Sequence, residues 1–216
     1  MNIQELKDLQ PLVYQQFVTI LEQGRLAHAY LFSGDFASFE MALFLSQALF
    51  CQEKVGVHPC GKCRSCRLIE SNDFSDVTIV APQGNFIKTD TIRELVKNFS
   101  QSGFESSQQV FIIRDAEKMH VNAANSLLKV IEEPQSTIHI FLLTNQEEAV
   151  LPTIKSRTQI ISFPQNLPYL ERFLEEEGLL KTQASLIARL VSSQEEAKRL
   201  ATNKSFIDLL DQAKKF

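Results

Sequence analysis

The 216-residue chain has little of what unstructured or low-complexity sequences accumulate: seven glycines, seven prolines and no internal repeat. It also has no large excess of one charge. A formal net charge of −4 leaves no surplus of Lys and Arg to neutralise a run of phosphates. That argues against an extensive nucleic-acid-binding surface, while leaving room for a local basic patch. No apolar run approaches the roughly 18–20 residues that a membrane-spanning helix needs. The opening MNIQELKDLQ has neither the basic start nor the apolar core of a secretory signal. These absences predict a cytoplasmic protein with no membrane partner, in a compartment that keeps thiols reduced.

Core material is plentiful, with 44% hydrophobic residues and sixteen phenylalanines. The length suits one large domain or two small ones. Pro11 fits a first helical turn and Gly24 a C-terminal cap, so a helix is predicted over 11–23. Apolar runs predict strands at 29–33, 76–80, 110–113, 138–143 and 159–163. Helical spacing predicts helices at 36–50, at 90–101 (Thr89 as N-cap, Gly103 as stop) and at 121–133, ended by Pro134. Strands alternating with helices imply a mainly parallel sheet covered on both faces, and the near-continuous apolar runs agree. After Phe163 the pattern changes. PQNLP carries two prolines, and 167–178, 182–192, 194–202 and 205–214 read as short amphipathic helices. A boundary is expected near 164–167, dividing an α/β domain over 1–165 from a small all-α domain over 166–216.

All four cysteines fall within sixteen residues: Cys51, then Cys60, Cys63 and Cys66 in CGKCRSC. Three thiolates spaced C-x₂-C-x₂-C can converge from tight turns, and a fourth from the end of a helix completes a tetrahedral Zn²⁺ site. Two disulfides or four free thiols are the alternatives; the first conflicts with a reducing compartment. Four thiolates leave no open coordination position, so a structural zinc is expected. His58 reads as an exposed loop residue rather than a ligand. Lys62, Arg64 and Arg67 offset the negative charge of such a site or touch a partner.

YLFSGDFASFEMALFLSQALF, residues 30–50, has the strand–turn–helix frame of a phosphate-binding loop. The G-x-x-x-x-G-K-[ST] pattern uses its glycines for close backbone approach, its lysine for the β/γ-phosphates and its hydroxyl for Mg²⁺. Counted from Gly34, those positions hold Phe39, Glu40 and Met41. The frame is present and its chemistry is missing or reversed in sign.

Ordered segments resemble one family, the bacterial DNA polymerase III clamp loader. GRLAHAYLFSG (24–34) resembles the entry to its phosphate loop, and the four cysteines its zinc module. VFIIRDAEKMHVNAANSLLKVIEEP (110–134) resembles its second nucleotide motif and the helix that follows. LLTNQEEAVLPTIKSR (142–157) resembles its sensor strand and arginine-finger loop. The resemblance covers nearly all of 10–165 and is loosely sustained to about 210. It implies a P-loop-NTPase-like (AAA+) fold: a five-stranded parallel sheet with the zinc module at 51–66, then a helical lid.

The departures from the family resemble its non-hydrolysing subunit. Where ATP-hydrolysing members keep Asp-Glu for Mg²⁺ and the attacking water, this chain has Arg114-Asp115. With the degenerate loop of Gly34, Phe39, Glu40 and Met41, that implies no ATP in its own site. Ser156-Arg157 resembles the Ser-Arg-Cys motif, with Thr158 for the cysteine, and implies that Arg157 acts in trans on a neighbour's ATP with Ser156 supporting the motif. Asn145, after Thr144, occupies the sensor position as a remnant. The lid's nucleotide-sensing arginine has no convincing match in SSQEEAKRL (192–200).

The implied partners are the tau/gamma ATPase subunits and delta, with the sliding clamp and primer-template DNA met through the assembly. Family members carry a third, collar domain; a chain ending at Phe216 is too short for it, and a truncated form is the expectation. The competing readings are an active ATPase with a degenerate loop and a zinc-dependent DNA-binding module. Nucleotide binding tests the first and salt-dependent DNA affinity the second.

Overall fold

The apolar runs become five strands, β1 (Ala29–Ser33), β2 (Val77–Val80), β3 (Gln108–Ile113), β4 (Thr137–Thr144) and β5 (Gln159–Ser162). They form one parallel sheet in the order β2-β3-β4-β1-β5. This computed structural model describes residues 3–99, 108–133, 137–191 and 193–213. Alternate side chains of each strand enter opposite layers, because successive Cβ atoms point to opposite faces. Tyr30, Phe32, Val110, Ile112, Phe141 and Leu143 face one layer; Leu31, Phe111, Ile113, Ile140 and Leu142 face the other.

On the first face lie α1 (Ile3–Leu9), α2 (Pro11–Glu22) and α3 (Ser38–Phe50). The aromatics meet there. Phe32 lies 5.5 Å from Phe17, 5.5 Å from Phe141 and 4.7 Å from Phe163, between ring centroids. These are favourable separations for tilted ring pairs. The insert follows α3 and ends in α4 (Arg64–Glu70). The second face is covered by α5 (Thr89–Phe99) and α6 (Val121–Glu132), and α7 (Pro152–Lys155) leads into β5. The last helices are α8 (Leu167–Glu176), α9 (Lys181–Leu190), α10 (Gln194–Ala201) and α11 (Lys204–Ala213). Their buried residues Leu170, Leu174, Ile187 and Ala197 join the first-face core rather than forming one of their own.

The chain leaves β1 on the first face through α3 and leaves its neighbour β4 on the second face through α7. Where connections diverge like this, the carboxyl ends of the two strands open a crevice. The turns after β1, β3 and β4 therefore gather at one edge of the sheet.

Three helices are absent from the expectations above. α1, α4 and α7 span seven, seven and four residues, too few for a clear apolar period. Thr89 is a helical residue rather than the cap: the Lys88 carbonyl accepts the first bond, from Ile92 N–H at 3.4 Å. The expected stops Gly103 and Pro134 lie outside the described residues, as does Ser192.

Candidate functional site

Gly34 leaves β1 with φ 114° and donates its N–H to the Thr144 carbonyl at 2.8 Å. A Cβ at this position would sit 2.3 Å from the Phe163 carbonyl oxygen. The glycine is thus required by the backbone leaving β5, whatever the loop binds. Gly34→Ala is expected to cost about 3 kcal/mol or more, from a strained φ and a backbone clash together. For a domain of this size that lowers Tm by about 6–12 °C. A thermal melt within 2 °C of wild type (roughly 1 kcal/mol or less) would remove this role.

The turn then reaches Ala37, which keeps a left-handed backbone at φ 64° and starts α3 by accepting from Met41 N–H at 3.0 Å. A side chain there costs roughly 1–2 kcal/mol relative to the ordinary region. The curl of a phosphate loop is therefore retained without the glycine that favours it. What fills the curl is different. The Arg114 guanidinium carbon lies 4.8 Å above the centre of the Phe39 ring, within cation–π range. Residues from the two degenerate motifs thus cover one another. Asp115, at φ 51°, turns to Lys118 and forms an ion pair at 3.2 Å.

Glu40 stands in the first turn of α3, where orphan backbone donors favour an anion. Its carboxyl is held above the usual range chiefly by burial; a hydrogen bond from its own N–H opposes this, Asp35 adds to it and Arg114 opposes it. Asp35 is raised in the same way, by burial first and then by Asp115. Both line a cavity of about 240 Å³ with Glu5 and Glu195, where Ser193 and Gln194 at the start of α10 also contribute. Among the described residues, four carboxylates and no basic side chain line this space, and Arg114 is close enough to act on both Asp35 and Glu40. Met41 takes no part: it is fully buried in the core beneath α3.

At the end of β4, Thr144 is buried and its hydroxyl donates to Glu117 Oε2 at 2.6 Å while accepting from Gln146 N–H at 3.0 Å. Asn145, the expected remnant, is exposed. Glu117 was not singled out from the sequence, because only the fold brings it to Thr144.

Arg157 follows α7 on the second face, away from α3. Its Nη1 donates to the Thr153 carbonyl and to Ser156 Oγ, both at 3.2 Å, and its Nε pairs with Glu132 at the end of α6. Arg157 and Glu132 side chains are 38% and 48% exposed. A pair so open contributes only about 0–1 kcal/mol, so the guanidinium is oriented but easily released.

The four cysteines come together as expected, each sulfur within 4.8 Å of the others. Cys51 closes α3, Cys60 and Cys63 come from the turns, and Cys66 lies in α4. The Cys63 and Cys51 sulfurs are 3.9 Å apart; four Zn–S bonds of 2.3 Å at tetrahedral angles require about 3.8 Å. Backbone N–H groups of Cys60, Cys63 and Cys66 donate to the sulfurs of Cys51, Cys60 and Cys63, at 3.3, 3.2 and 3.5 Å. All four are free thiols, and N–H donors aimed at sulfur suit thiolates. The donor set and spacing fit Zn²⁺. His58 is half-buried instead of exposed: it pairs with Val55 through its backbone, and its ring centroid lies 6.2 Å from that of Tyr14.

No helix among the described residues is long and apolar enough to cross a membrane. The sequence profile described as "DNA polymerase III, delta subunit" matches residues 9–166. DNA polymerase III subunit delta' of Bacillus subtilis is 38% identical over 207 residues, 94% of this chain and 63% of that protein. DNA polymerase III subunit gamma/tau of Mycobacterium tuberculosis H37Rv is 33% identical over 175 residues, 76% of this chain and 30% of that protein. The chain therefore spans less than two thirds of either relative. Among solved structures, a gamma-subunit-related protein of Thermotoga maritima superposes with a TM-score of 0.53 at 23% identity, over 92% of this chain and 76% of the other. That likeness concerns the fold.

Proposed function

The chain belongs to the delta-prime family of DNA polymerase III, and from that premise we propose that it is a clamp-loader subunit that holds no nucleotide of its own and lends Arg157 to the ATP site of a neighbouring subunit. Its work is to help place a sliding clamp on primed DNA, as a fixed member of the assembly rather than as an enzyme alone. The gamma/tau likeness supports the tau/gamma ATPases as the neighbours, with delta, the clamp and primer-template DNA met in the whole assembly. The helices after Phe163 serve as the lid over 166–216, and 1–165 as the α/β domain.

The observation that carries the reading is the stack of Arg114 on Phe39. The cation stands where the family's second motif places a metal-holding carboxylate, and the ring stands where the loop needs a glycine. Glu40 faces the space a triphosphate would enter, among Glu5, Asp35 and Glu195. An incoming phosphate would meet like charge with neither lysine nor Mg²⁺ to offset it. Arg157 lies on the opposite face, just after the short helix α7, with its side chain partly exposed, and a guanidinium offers two parallel donors to phosphate oxygens.

The four cysteines hold a structural Zn²⁺, with no open position for catalysis. Calorimetric titration of MgATP into the purified chain, under conditions that detect a Kd of about 1 mM, is expected to give no saturable heat. One-site saturable binding would instead support an active ATPase with a degenerate loop.

A further inference from the structure

Gln10 is the single residue between α1 and α2, and although polar it is only 4% exposed. Its side-chain nitrogen donates to the Phe36 carbonyl at 2.8 Å and to the Pro164 carbonyl at 2.7 Å. A primary amide has two N–H donors, and both are used. One acceptor belongs to the degenerate phosphate loop and the other to the segment joining β5 to α8. Asn166, two residues on, repeats the arrangement in reverse. Its side-chain nitrogen donates to the Asp8 and Leu9 carbonyls at 2.8 and 3.3 Å, while its oxygen accepts from Tyr169 N–H at 3.2 Å and caps α8. All four acceptors are backbone carbonyls, so each amide can be oriented only one way.

We propose that Gln10 and Asn166 form a clasp that fixes the C-terminal helices against the sheet through protein groups alone. The clasp joins three segments: the α1–α2 break, the turn after β1 and the entry to α8. It lies beside the acid-lined cavity under the start of α10. Phe36, Phe163 and Leu170, all buried, lie in one core beside it; the Gln10–Phe36 bond is buried, the bonds to Pro164 and Leu9 are partly buried, and the Asn166–Asp8 bond is exposed. Burial without partners would make the Gln10 amide costly, and that cost opposes any opening of the helices away from the sheet. The angle between sheet and helices is then set before any ligand arrives. In this respect the inference rests on the reading that no nucleotide occupies the site.

Hydrogen–deuterium exchange of the zinc-loaded chain, with and without MgATP, tests the clasp. Asn166→Asp keeps a side-chain oxygen to cap α8 and removes both donors to α1. It is expected to raise exchange in α8–α10 by up to about ten-fold, the scale of the net contribution of one hydrogen bond, while β1 and β4 stay protected. Gln10→Leu, close in volume, should loosen the same helices. Wild-type exchange should be the same with and without MgATP. Unchanged protection in α8–α10 in Asn166→Asp would overturn the clasp, as would a uniform rise across sheet and helices. MgATP-induced protection of α8–α10 in the wild type would also overturn it. Loss of neighbour activation by Arg157 is read only in the assembled loader, so failure of that role is seen separately from failure of the clasp.

Discussion

Arg157→Ala is expected to lower single-turnover hydrolysis at the adjacent subunit's ATP site by about 10³-fold or more in a reconstituted loader, since arginine fingers contribute roughly 10³–10⁵ in rate. The loader's total turnover falls less where other sites keep their own donors. Arg157→Lys should recover only part of the loss, because an ammonium is a point charge and lacks the planar pair of donors. Glu132→Gln separates reach from resting place. The guanidinium remains, the exposed pair contributes about 0–1 kcal/mol, and turnover should change by less than about five-fold. Adjacent-site hydrolysis within two-fold of wild type in Arg157→Ala would sink the finger role. Assembly of the variant, checked by sedimentation, distinguishes lost chemistry from a missing subunit.

Removing the metal is the second large perturbation. Purified chain should carry one Zn²⁺, and chelation should abolish exchange protection across 51–70 while leaving the five strands protected. Helix α4 has seven residues, far below the dozen or so at which isolated helices become even marginal. Its supports are Ile69, fully buried; Cys66, likewise buried; and the Gln47 amide, which donates to the Cys66 carbonyl at 2.9 Å. Structural zinc contributes about 10–16 kcal/mol of apparent binding energy in small peptides, more than these contacts can replace. Without the cation the thiols are ill matched. Burial pushes Cys51 and Cys66 up, whereas at Cys63 burial is outweighed by hydrogen bonds from Cys66, bringing that thiol down to about 6. Native protection of 51–70 in metal-free chain would show that the turns hold themselves.

The central strands β1, β3 and β4 were legible because they are buried on both faces and so read as nearly unbroken apolar runs; β1 was placed at the expected residues, 29–33. The C-x₂-C-x₂-C spacing was equally informative, since a short loop leaves its sulfurs few places to go. What could not be read was contact between distant positions. The family resemblance put Phe39 and Arg114 at one site but not in contact, and nothing near Thr144 announces Glu117, because these segments meet only across the sheet. Met41 was expected at the loop's hydroxyl position with no ligand to hold, and the helical turn carries it into the core. Gln10 has no local signal at all: its partners, at 36 and 164, meet only when the sheet is complete.

The left-handed corner at Ala37 shows what holds the loop in shape. An alanine gains nothing locally from that backbone, so the surroundings and not local preference maintain it. Shape and side-chain chemistry are thereby separable here: the bend does not depend on which groups line it. What the loop can hold would then be governed by side chains such as Phe39 and Glu40, and hardly at all by the path of the chain.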